Sequence, residues 1–302
     1  MTKKFEVYDN RFLALLRPDS KLEHIFWGTK WAEGPVYFAE DDSLLFSDIP
    51  NNRILRWTPK DGYSVFRHPS NFTNGHTRDL QGRLVSCEHG GRRVSRTEAD
   101  GTVSVLVDNY RGKRFNSPND VVVKSDGTIW FTDPPYGIMQ AAEGYHGLSE
   151  VGGNFVYRFD PETKDVSIVA DDLEKPNGLA FSPDERIMYI ADSAGSHDQF
   201  AKHEVRAYDV IDGSRLVNSR VFTTISPGVP DGLRLDVNGY LYISSHDSIQ
   251  VFSAGGDLLG KIMVPEIIAN CTFGGPDKNR LFIAANTSVY AITLNTQGVQ
   301  KP

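Results

Sequence analysis

Six polar residues stand at the start of six apolar runs in this 302-residue sequence, and their side chains are carboxylates or amides. They are called the anchors here: Glu33, Asn74, Asn119, Asn177, Asp231 and Asn270. Asn and Asp favour turns, which accounts for one or two anchors without any ligand. Carboxylates crowded together would repel each other, however, and a bound cation is the simplest compensation. Because oxygen ligands without a His/Cys cluster select a hard ion such as Ca²⁺, the anchors indicate a divalent-cation site.

A second set of polar residues follows the anchors 14 to 16 residues later, each at the end of the next apolar run. This second set is Asp48, Glu88, Asp133, Asp192, His246 and Asn286. We interpret Glu88, Asp133 and His246 as candidates for binding substrate, and Glu88, Asp133, Asp192 or His246 could also share the role of a base.

The anchors open six repeats, with separations of 41, 45, 58, 54 and 39 residues. Each repeat has three short runs rich in β-branched and aromatic residues, with Asp, Gly or Pro turns between them, which predicts antiparallel strands. Six such repeats predict an all-β fold, a six-bladed β-propeller that forms a single domain over residues 1–302. A two-domain sandwich would not explain six matching openings.

The N-terminal region is expected to close the ring of blades. The last repeat ends after its third strand, and the segment LEHIFW at 22–27 could supply the missing outer strand. Residues 1–21 form an N-terminal extension, in which RFLALL predicts one or two helical turns. Since the first strand of each propeller blade lines the central channel and the second runs back, both polar sets are expected at one mouth of the channel.

Insertions lengthen the two longest repeats, at about residues 134–153 and 193–204. Both lie between the second and third strands, so they leave from the mouth that carries the polar sets. Loops on a rigid scaffold often carry binding residues, and we therefore interpret the insertions as a partial lid. Tolerated surface insertions are the alternative.

Composition and charge exclude several classes of protein. The net charge of −7 argues against a nucleic-acid-binding protein, and no apolar run is long enough to span a membrane. Acidic residues interrupt the N-terminus before a signal core could form, so a cytoplasmic protein is expected. Cys87 and Cys271 are too few and too far apart for a disulfide scaffold or a zinc site, and we interpret both as buried apolar residues. Exposed blade edges permit a homodimer without requiring one.

Several motifs resemble the family of senescence marker protein 30, gluconolactonase and luciferin-regenerating enzyme. The resemblance covers nearly the whole chain and is strongest in WAEGPVYF, SDIPNNRILRW, NGHTRDLQGRLVSCEHGGRRVSR, SPNDVVVKSDGTIWFTDPPYG, KPNGLAFSPDE, PDGLRLDVNG and NCTFGG. The CEHG and RRV segments make the chain most similar to bacterial gluconolactonases. The resemblance implies a six-bladed propeller with one catalytic divalent ion in its channel, often calcium, that hydrolyses sugar lactones.

The resemblance also implies a set of metal ligands. The family's motifs fall on Glu33, Asn119, Asn177 and Asp231, and all four residue types are present. Ca²⁺ is the first expectation for the ion, with Mg²⁺, Mn²⁺ and Zn²⁺ as alternatives. The mammalian branch also uses an Arg and an Asn of the third blade to hold substrate. Arg114 is the matching candidate here, although the local sequence RFNSPND is longer than that branch's pattern.

The expected reaction is attack of water on a lactone carbonyl whose oxygen is polarised by the ion. Asp231 is the candidate to orient or deprotonate that water. His76 stands two residues after an anchor, where strand alternation places it on the same side, and is a second catalytic candidate. Tyr136 is expected to border the pocket, as are Trp27 and Trp31.

Other functions fit the same oxygen-lined site. Hydrolysis of phosphotriesters or fluorophosphates would use a similar ion, and sequence alone does not separate it from lactone hydrolysis. A non-catalytic binding module would favour small or apolar anchors, whereas all six here are polar. A strictosidine-synthase-like lyase would need an apolar pocket and a catalytic Glu that the sequence does not place.

Overall fold

The N-terminal segment contributes three short elements before the first repeat begins. A computed structural model describes residues 4–198 and 200–299. The first elements are β1 (Phe5–Val7), α1 (Asn10–Leu15) and β2 (Glu23–Trp27). Asp9 caps α1, since its side chain accepts the backbone N–H of Arg11 at 2.8 Å. The helix predicted from RFLALL is thus confirmed.

Six antiparallel sheets, the blades, follow along the chain. Blades 1 and 2 are β3 (Ala32–Phe38), β4 (Ser43–Asp48), β5 (Arg53–Thr58), β6 (Gly62–Arg67), β7 (Thr73–Arg78), β8 (Leu84–Glu88), β9 (Arg93–Thr97) and β10 (Val103–Val107). A small hairpin comes next, β11 (Asn109–Tyr110) and β12 (Lys113–Arg114). Blades 3 and 4 are β13 (Val121–Val123), β14 (Ile129–Asp133), β15 (Phe155–Phe159), β16 (Val166–Ala170), β17 (Pro176–Phe181), β18 (Ile187–Asp192), β19 (Glu204–Ile211) and β20 (Arg215–Thr224). Blades 5 and 6 contain β21 (Leu233–Leu235), β22 (Leu241–Ser244), β23 (Ser248–Phe252), β24 (Leu258–Met263), β25 (Ile268–Gly274), β26 (Arg280–Ala285) and β27 (Ser288–Thr293).

The innermost strands touch in cyclic order, β3, β7, β13, β17, β21, β25 and back to β3, so the blades form a closed ring. The sixth blade is completed by β2, which pairs antiparallel with β27 from Glu23 opposite Ala291 to Trp27 opposite Ser288. The prediction of a six-bladed propeller closed by an N-terminal strand is confirmed. β1 in turn pairs with β24, which gives blade 5 a fifth strand.

The hydrophobic core lies between neighbouring blades. One cluster joins Val85 and Cys87 of blade 2 to Phe131 and Tyr157 of blade 3. Because both faces of a blade pack against neighbours, strands such as β4, β14 and β17 are buried along their whole length. This explains the nearly continuous apolar runs of the second strands. Cys87 and Cys271 are free and fully buried, as predicted.

Helical structure is sparse and confined to short segments. Besides α1 there is α2 (Tyr136–Met139) in the first insertion, with single 3₁₀ turns at Ile49–Asn51 and Ala194–Ser196. Throughout residues 4–198 and 200–299, no helix has the length and apolar character needed to cross a membrane.

Glycines directly after four anchors let adjacent inner strands approach closely. These are Gly34, Gly75, Gly178 and Gly232. The N–H of Gly178 donates to the carbonyl oxygen of Asp231 at 3.0 Å, and a Cβ added to Gly178 would lie 2.3 Å from that oxygen. The Gly75 N–H likewise donates to the Asn119 carbonyl at 2.7 Å. The anchor-glycine motif therefore joins four of the six pairs of adjacent blades around the channel.

Gly178→Ala is expected to lower the free energy of unfolding by about 2 kcal/mol, because the added methyl group meets rigid backbone of blade 5. Chemical denaturation would measure this. Gly255→Ala is the matched control, since a Cβ there meets nothing nearer than 3.6 Å, and its effect should stay within about 0.5 kcal/mol. Equal effects for the two variants would show that close packing of the inner strands contributes nothing specific.

Candidate functional site

β-bulges in the inner strands set the direction of the anchor side chains. In β7, Thr73 pairs with Glu88 and His76 pairs with Ser86, so the strand advances three residues while β8 advances two. Similar irregularities occur between Glu33 and Val36 in β3, Pro176 and Leu179 in β17, and Ile268 and Asn270 in β25. A bulge adds an unpaired residue and turns a side chain away from regular alternation, and bulges are frequent beside active sites.

An amide anchor lies beside each of the two carboxylate anchors. Oε2 of Glu33 accepts the backbone N–H of Gly34 at 2.6 Å and the Nδ2 group of Asn270 at 3.3 Å. The Asn177 side chain lies near the carboxylate of Asp231 and acts to lower its pKa. Oδ1 of Asp231 is enclosed and has no hydrogen-bond partner among the described residues. An enclosed carboxylate oxygen without a partner is costly, so this atom is open to a ligand.

The negative charges of Glu33 and Asp231 repel each other. Burial raises the pKa of Glu33 to about 8, with the charges of Asp120 and Glu143 adding to the effect and the hydrogen bonds from Gly34 and Asn270 opposing it. Burial also raises the pKa of Asp231 well above its usual value, and the nearby charge of Glu33 raises it further. Without a compensating cation, these groups favour protonation.

The four predicted metal ligands include few of the residue types, His, Cys, Asp and Glu, that usually mark a metal site. Among residues 4–198 and 200–299, no three His, Cys, Asp or Glu side chains stand close enough together to hold a metal ion. The predicted ligands include only two such residues, Glu33 and Asp231, and the other two are asparagines.

His89 and Glu143 belong to the site although the sequence analysis did not select them. Nε2 of His89 lies 3.3 Å from Nδ2 of Asn74 and 3.5 Å from Nδ2 of Asn119. Nδ1 lies 3.1 Å from the backbone oxygen of Glu143 in the first insertion. Burial lowers the pKa of His89 to about 4, so the ring is neutral at pH 7. His89 directly follows Glu88 of the second polar set, and this position is the sequence feature that could have marked it as a site residue.

An ion pair lies deeper in the channel. Nη1 of Arg234 is 3.4 Å from Oδ2 of Asp120, and both side chains are buried. Asp120 stands directly after Asn119, in the position that four other anchors fill with glycine. Its negative charge contributes to the raised pKa of both Glu33 and Asp231.

Carboxylates of the second polar set accept hydrogen bonds from the segment that precedes the inner strand of the same blade. Asp133 accepts the backbone N–H groups of Asn116 and Ser117, each at 2.8 Å. In blade 4, Asp192 accepts the N–H groups of Glu174 and Lys175, each at 2.9 Å. Asp48 accepts the Lys30 N–H at 2.9 Å, and Glu88 accepts Nδ2 of Asn71 at 3.0 Å and Nε of Arg93 at 2.7 Å. The contacts of Asp48, Asp133 and Asp192 fix the backbone two or three residues before an anchor, whereas Glu88 holds the side chain of Asn71.

Asp133→Asn is expected to lower the free energy of unfolding by about 2 kcal/mol, because the new amide group turns a donor toward a backbone N–H. Asp133 is fully buried, and burial raises its pKa to about 7 although both N–H groups lower it. Urea denaturation measures the effect, and the exposed Asp184→Asn serves as the control. Unfolding curves that coincide for the two variants would contradict this role for Asp133.

His76 lies between blades 1 and 2. Its Nε2 is 2.8 Å from Oγ of Ser47, and its Nδ1 is 2.8 Å from Oγ of Ser86. Burial lowers its pKa to about 3, so the ring is neutral. This position differs from the channel-facing one expected from strand alternation, because the bulge between Thr73 and His76 resets that alternation.

The two insertions meet above the site. The ring of Tyr136, in α2, stacks on His197 of the second insertion with centroids 5.6 Å apart. Tyr136 is buried, and its hydroxyl has no hydrogen-bond partner among the described residues. Burial raises the pKa of Tyr136, and the charge of Asp231 adds to the effect. Gly137 packs on His89, since an added Cβ would lie 2.5 Å from the His89 Cβ.

Two predicted substrate-binding residues lie on exposed segments. The backbone N–H of His246 donates to Pro227, and that of Arg114 donates to Glu150. Within the part of the chain that the structure describes, no hydrogen bond or ion pair joins either side chain to an anchor. Trp27 is 75% exposed, and Trp31 is partly buried.

Comparison with known proteins places this architecture in a family. A family model described as the SMP-30/gluconolactonase/LRE-like region matches residues 31–287, a range that includes all six anchors. The chain belongs to this family. The resemblance inferred from the sequence motifs is therefore confirmed.

Individual family members are similar over most of their length. The gluconolactonase of Zymomonas mobilis is 32% identical over 320 residues, covering 98% of this chain and 87% of that protein. The pentonolactonase XacC of Haloferax volcanii is 26% identical over 257 residues, covering 83% and 80%. The structure of a gluconolactonase from Xanthomonas campestris superposes with a TM-score of 0.91 at 37% identity, covering 97% of this chain and 95% of that one.

Proposed function

We propose that this protein is a divalent-cation-dependent lactonase that opens sugar lactones. The observation that carries the proposal is that two buried carboxylates, Glu33 and Asp231, lie close enough for their charges to interact. In addition, Oδ1 of Asp231 is enclosed and has no hydrogen-bond partner among the described residues. The relatives named gluconolactonase and pentonolactonase support lactones as the substrate class. A propeller that only bound a protein partner would have no use for such a costly buried pair.

The residues of the channel fit a divalent cation. The charges of Asp120 and Glu143 contribute to the raised pKa of both Glu33 and Asp231, and the buried guanidinium of Arg234 lies beside Asp120. The proposed ligands are Glu33, Asn119, Asn177 and Asp231, and a hard ion suits these oxygen donors. Ca²⁺ is the first candidate, with Mg²⁺, Mn²⁺ and Zn²⁺ as alternatives.

The proposed reaction is hydrolysis of the ester bond in the lactone ring. The bound cation supplies polarisation of the lactone carbonyl oxygen. Asp231 accepts a proton from the attacking water as the water oxygen bonds to the carbonyl carbon. The bond between that carbon and the ring oxygen then breaks, and the proton passes to the departing ring oxygen, so the product is a hydroxy acid.

Residues around this centre receive separate proposed roles. The hydroxyl of Tyr136, which has no partner within residues 4–198 and 200–299, can bond to a hydroxyl group of the sugar. Glu88 and Asp133 are proposed to support the backbone before the anchors, since their oxygens already accept hydrogen bonds there. His76 is proposed to be structural for the same reason. Substrate binding by Arg114 and His246 remains a prediction.

A substrate panel tests the function. Purified protein with Ca²⁺ would be assayed by pH-stat titration on aldonolactones of five- and six-membered ring size and on a phosphotriester, with spontaneous hydrolysis subtracted. The kcat/KM for at least one aldonolactone is expected to exceed that for the phosphotriester by about a hundredfold or more. A preference for the phosphotriester would replace the proposed substrate, and hydrolysis of neither class would favour the non-catalytic module.

A further inference from the structure

We propose that His89 is a positioning residue that turns the amide oxygen of Asn119 toward the channel axis and ties it to the first insertion. The inference rests on the cation site proposed above. Asn119 is a proposed ligand, and its amide has two ends of similar shape but opposite character. A neighbouring group must therefore set the orientation of this amide, so that its oxygen and not its nitrogen faces the cation.

The hydrogen bond at Nδ1 fixes the tautomer of His89. Nδ1 is 3.1 Å from the backbone oxygen of Glu143. A carbonyl oxygen only accepts hydrogen bonds, so Nδ1 carries the hydrogen atom. In the neutral ring, Nε2 then presents a lone pair and no hydrogen.

That lone pair faces two amide donors. Nδ2 of Asn74 is 3.3 Å and Nδ2 of Asn119 is 3.5 Å from Nε2. Both distances are long, as expected when two donors share one acceptor. An amide nitrogen cannot accept, so a protonated Nε2 would repel both groups. Holding the nitrogen of Asn119 on His89 leaves its oxygen on the other side of the amide, available to the cation.

Packing keeps the imidazole in place. His89 is fully buried, and Gly137 of α2 lies so close that a Cβ there would be 2.5 Å from the His89 Cβ. The ring therefore connects residues 134–153 to two blades. Partners of metal ligands commonly change metal affinity by 10- to 100-fold when they are altered.

Two substitutions test the roles of Nδ1 and Nε2 of His89 independently. In His89→Gln the amide oxygen can take the place of Nε2 and keep an acceptor for Asn119. In His89→Asn the amide nitrogen can take the place of Nδ1 and keep the bond to Glu143, but the acceptor is lost. Isothermal titration with CaCl₂ is expected to give a Kd within about threefold of wild type for His89→Gln and weaker by about tenfold or more for His89→Asn.

Thermal unfolding in EDTA shows whether the variants differ in folding alone. Both should lose a similar amount of stability, because each removes one hydrogen bond from the same ring. Equal weakening of Ca²⁺ binding in both variants, or an unchanged Kd in His89→Asn, would overturn the positioning role. Wild-type protein that binds no Ca²⁺ would instead overturn the cation site, and this inference with it.

The tautomer can be measured without metal or substrate. In ¹⁵N-labelled, metal-free protein, the imidazole resonances of His89, assigned by comparison with His89→Gln, are expected to show a protonated Nδ1 and an unprotonated Nε2. This tautomer is the minor one for free histidine, so its presence would support the inference. A protonated Nε2 would overturn it.

Discussion

Chelation of divalent cations is expected to lower lactone hydrolysis by about a thousandfold, and added Ca²⁺ should restore it. The reason is that carbonyl polarisation and the compensation of buried negative charge are both lost. A thousandfold change corresponds to about 4 kcal/mol of transition-state stabilisation, a reasonable amount for one preorganised electrostatic contact. Initial rates by pH-stat titration, before and after dialysis against EDTA, would measure the effect.

The control is the fold of the metal-free protein. Circular dichroism should be unchanged by dialysis, because the blades are held by interblade packing and strand pairing far from the channel. Activity that survives thorough chelation, checked by elemental analysis, would remove the cation from the mechanism. Restoration by Mg²⁺ or Mn²⁺ but not by Ca²⁺ would keep the mechanism and change the ion.

Asp231→Asn is expected to lower kcat by about a thousandfold while the propeller remains folded. The substitution keeps the shape of the side chain, but it removes the proposed proton acceptor at an enclosed site. Because Asp231 is also a proposed ligand, rates should be compared at saturating Ca²⁺. At saturating Ca²⁺, a fall in kcat then reports lost proton transfer and not weaker binding of Ca²⁺.

Asp184→Asn is the matched control for this experiment. Asp184 is an acid of the same chemical type whose side chain bonds to Ser182 at the surface of blade 4. Its turnover should equal that of wild type. Near-native turnover of Asp231→Asn would exclude Asp231 as the base and direct attention to Glu143, an acid of the first insertion whose charge contributes to the raised pKa of both Glu33 and Asp231.

The repeat and the oxygen ligands of its anchors can be recognised from the residues and their spacing alone. Six polar anchors, 39 to 58 residues apart, predicted six blades, and the truncated last repeat predicted the closing strand that β2 supplies. These features were readable because strand alternation, turn residues and repeat length are local properties. The oxygen-only character of the anchors was equally visible, since it depends on residue type alone.

Which polar groups meet, and which already have hydrogen-bond partners, depends on how the blades and insertions pack. A bulge of one residue in β7 moved His76 between blades, and no sequence pattern marks where a bulge occurs. His89 and Glu143 meet only because an insertion folds back over blade 2. Asp133 resembles a site residue in sequence, yet its oxygens accept backbone N–H groups 16 and 17 residues earlier in the chain. Such contacts join distant segments, so their geometry follows from how the blades pack rather than from any local pattern.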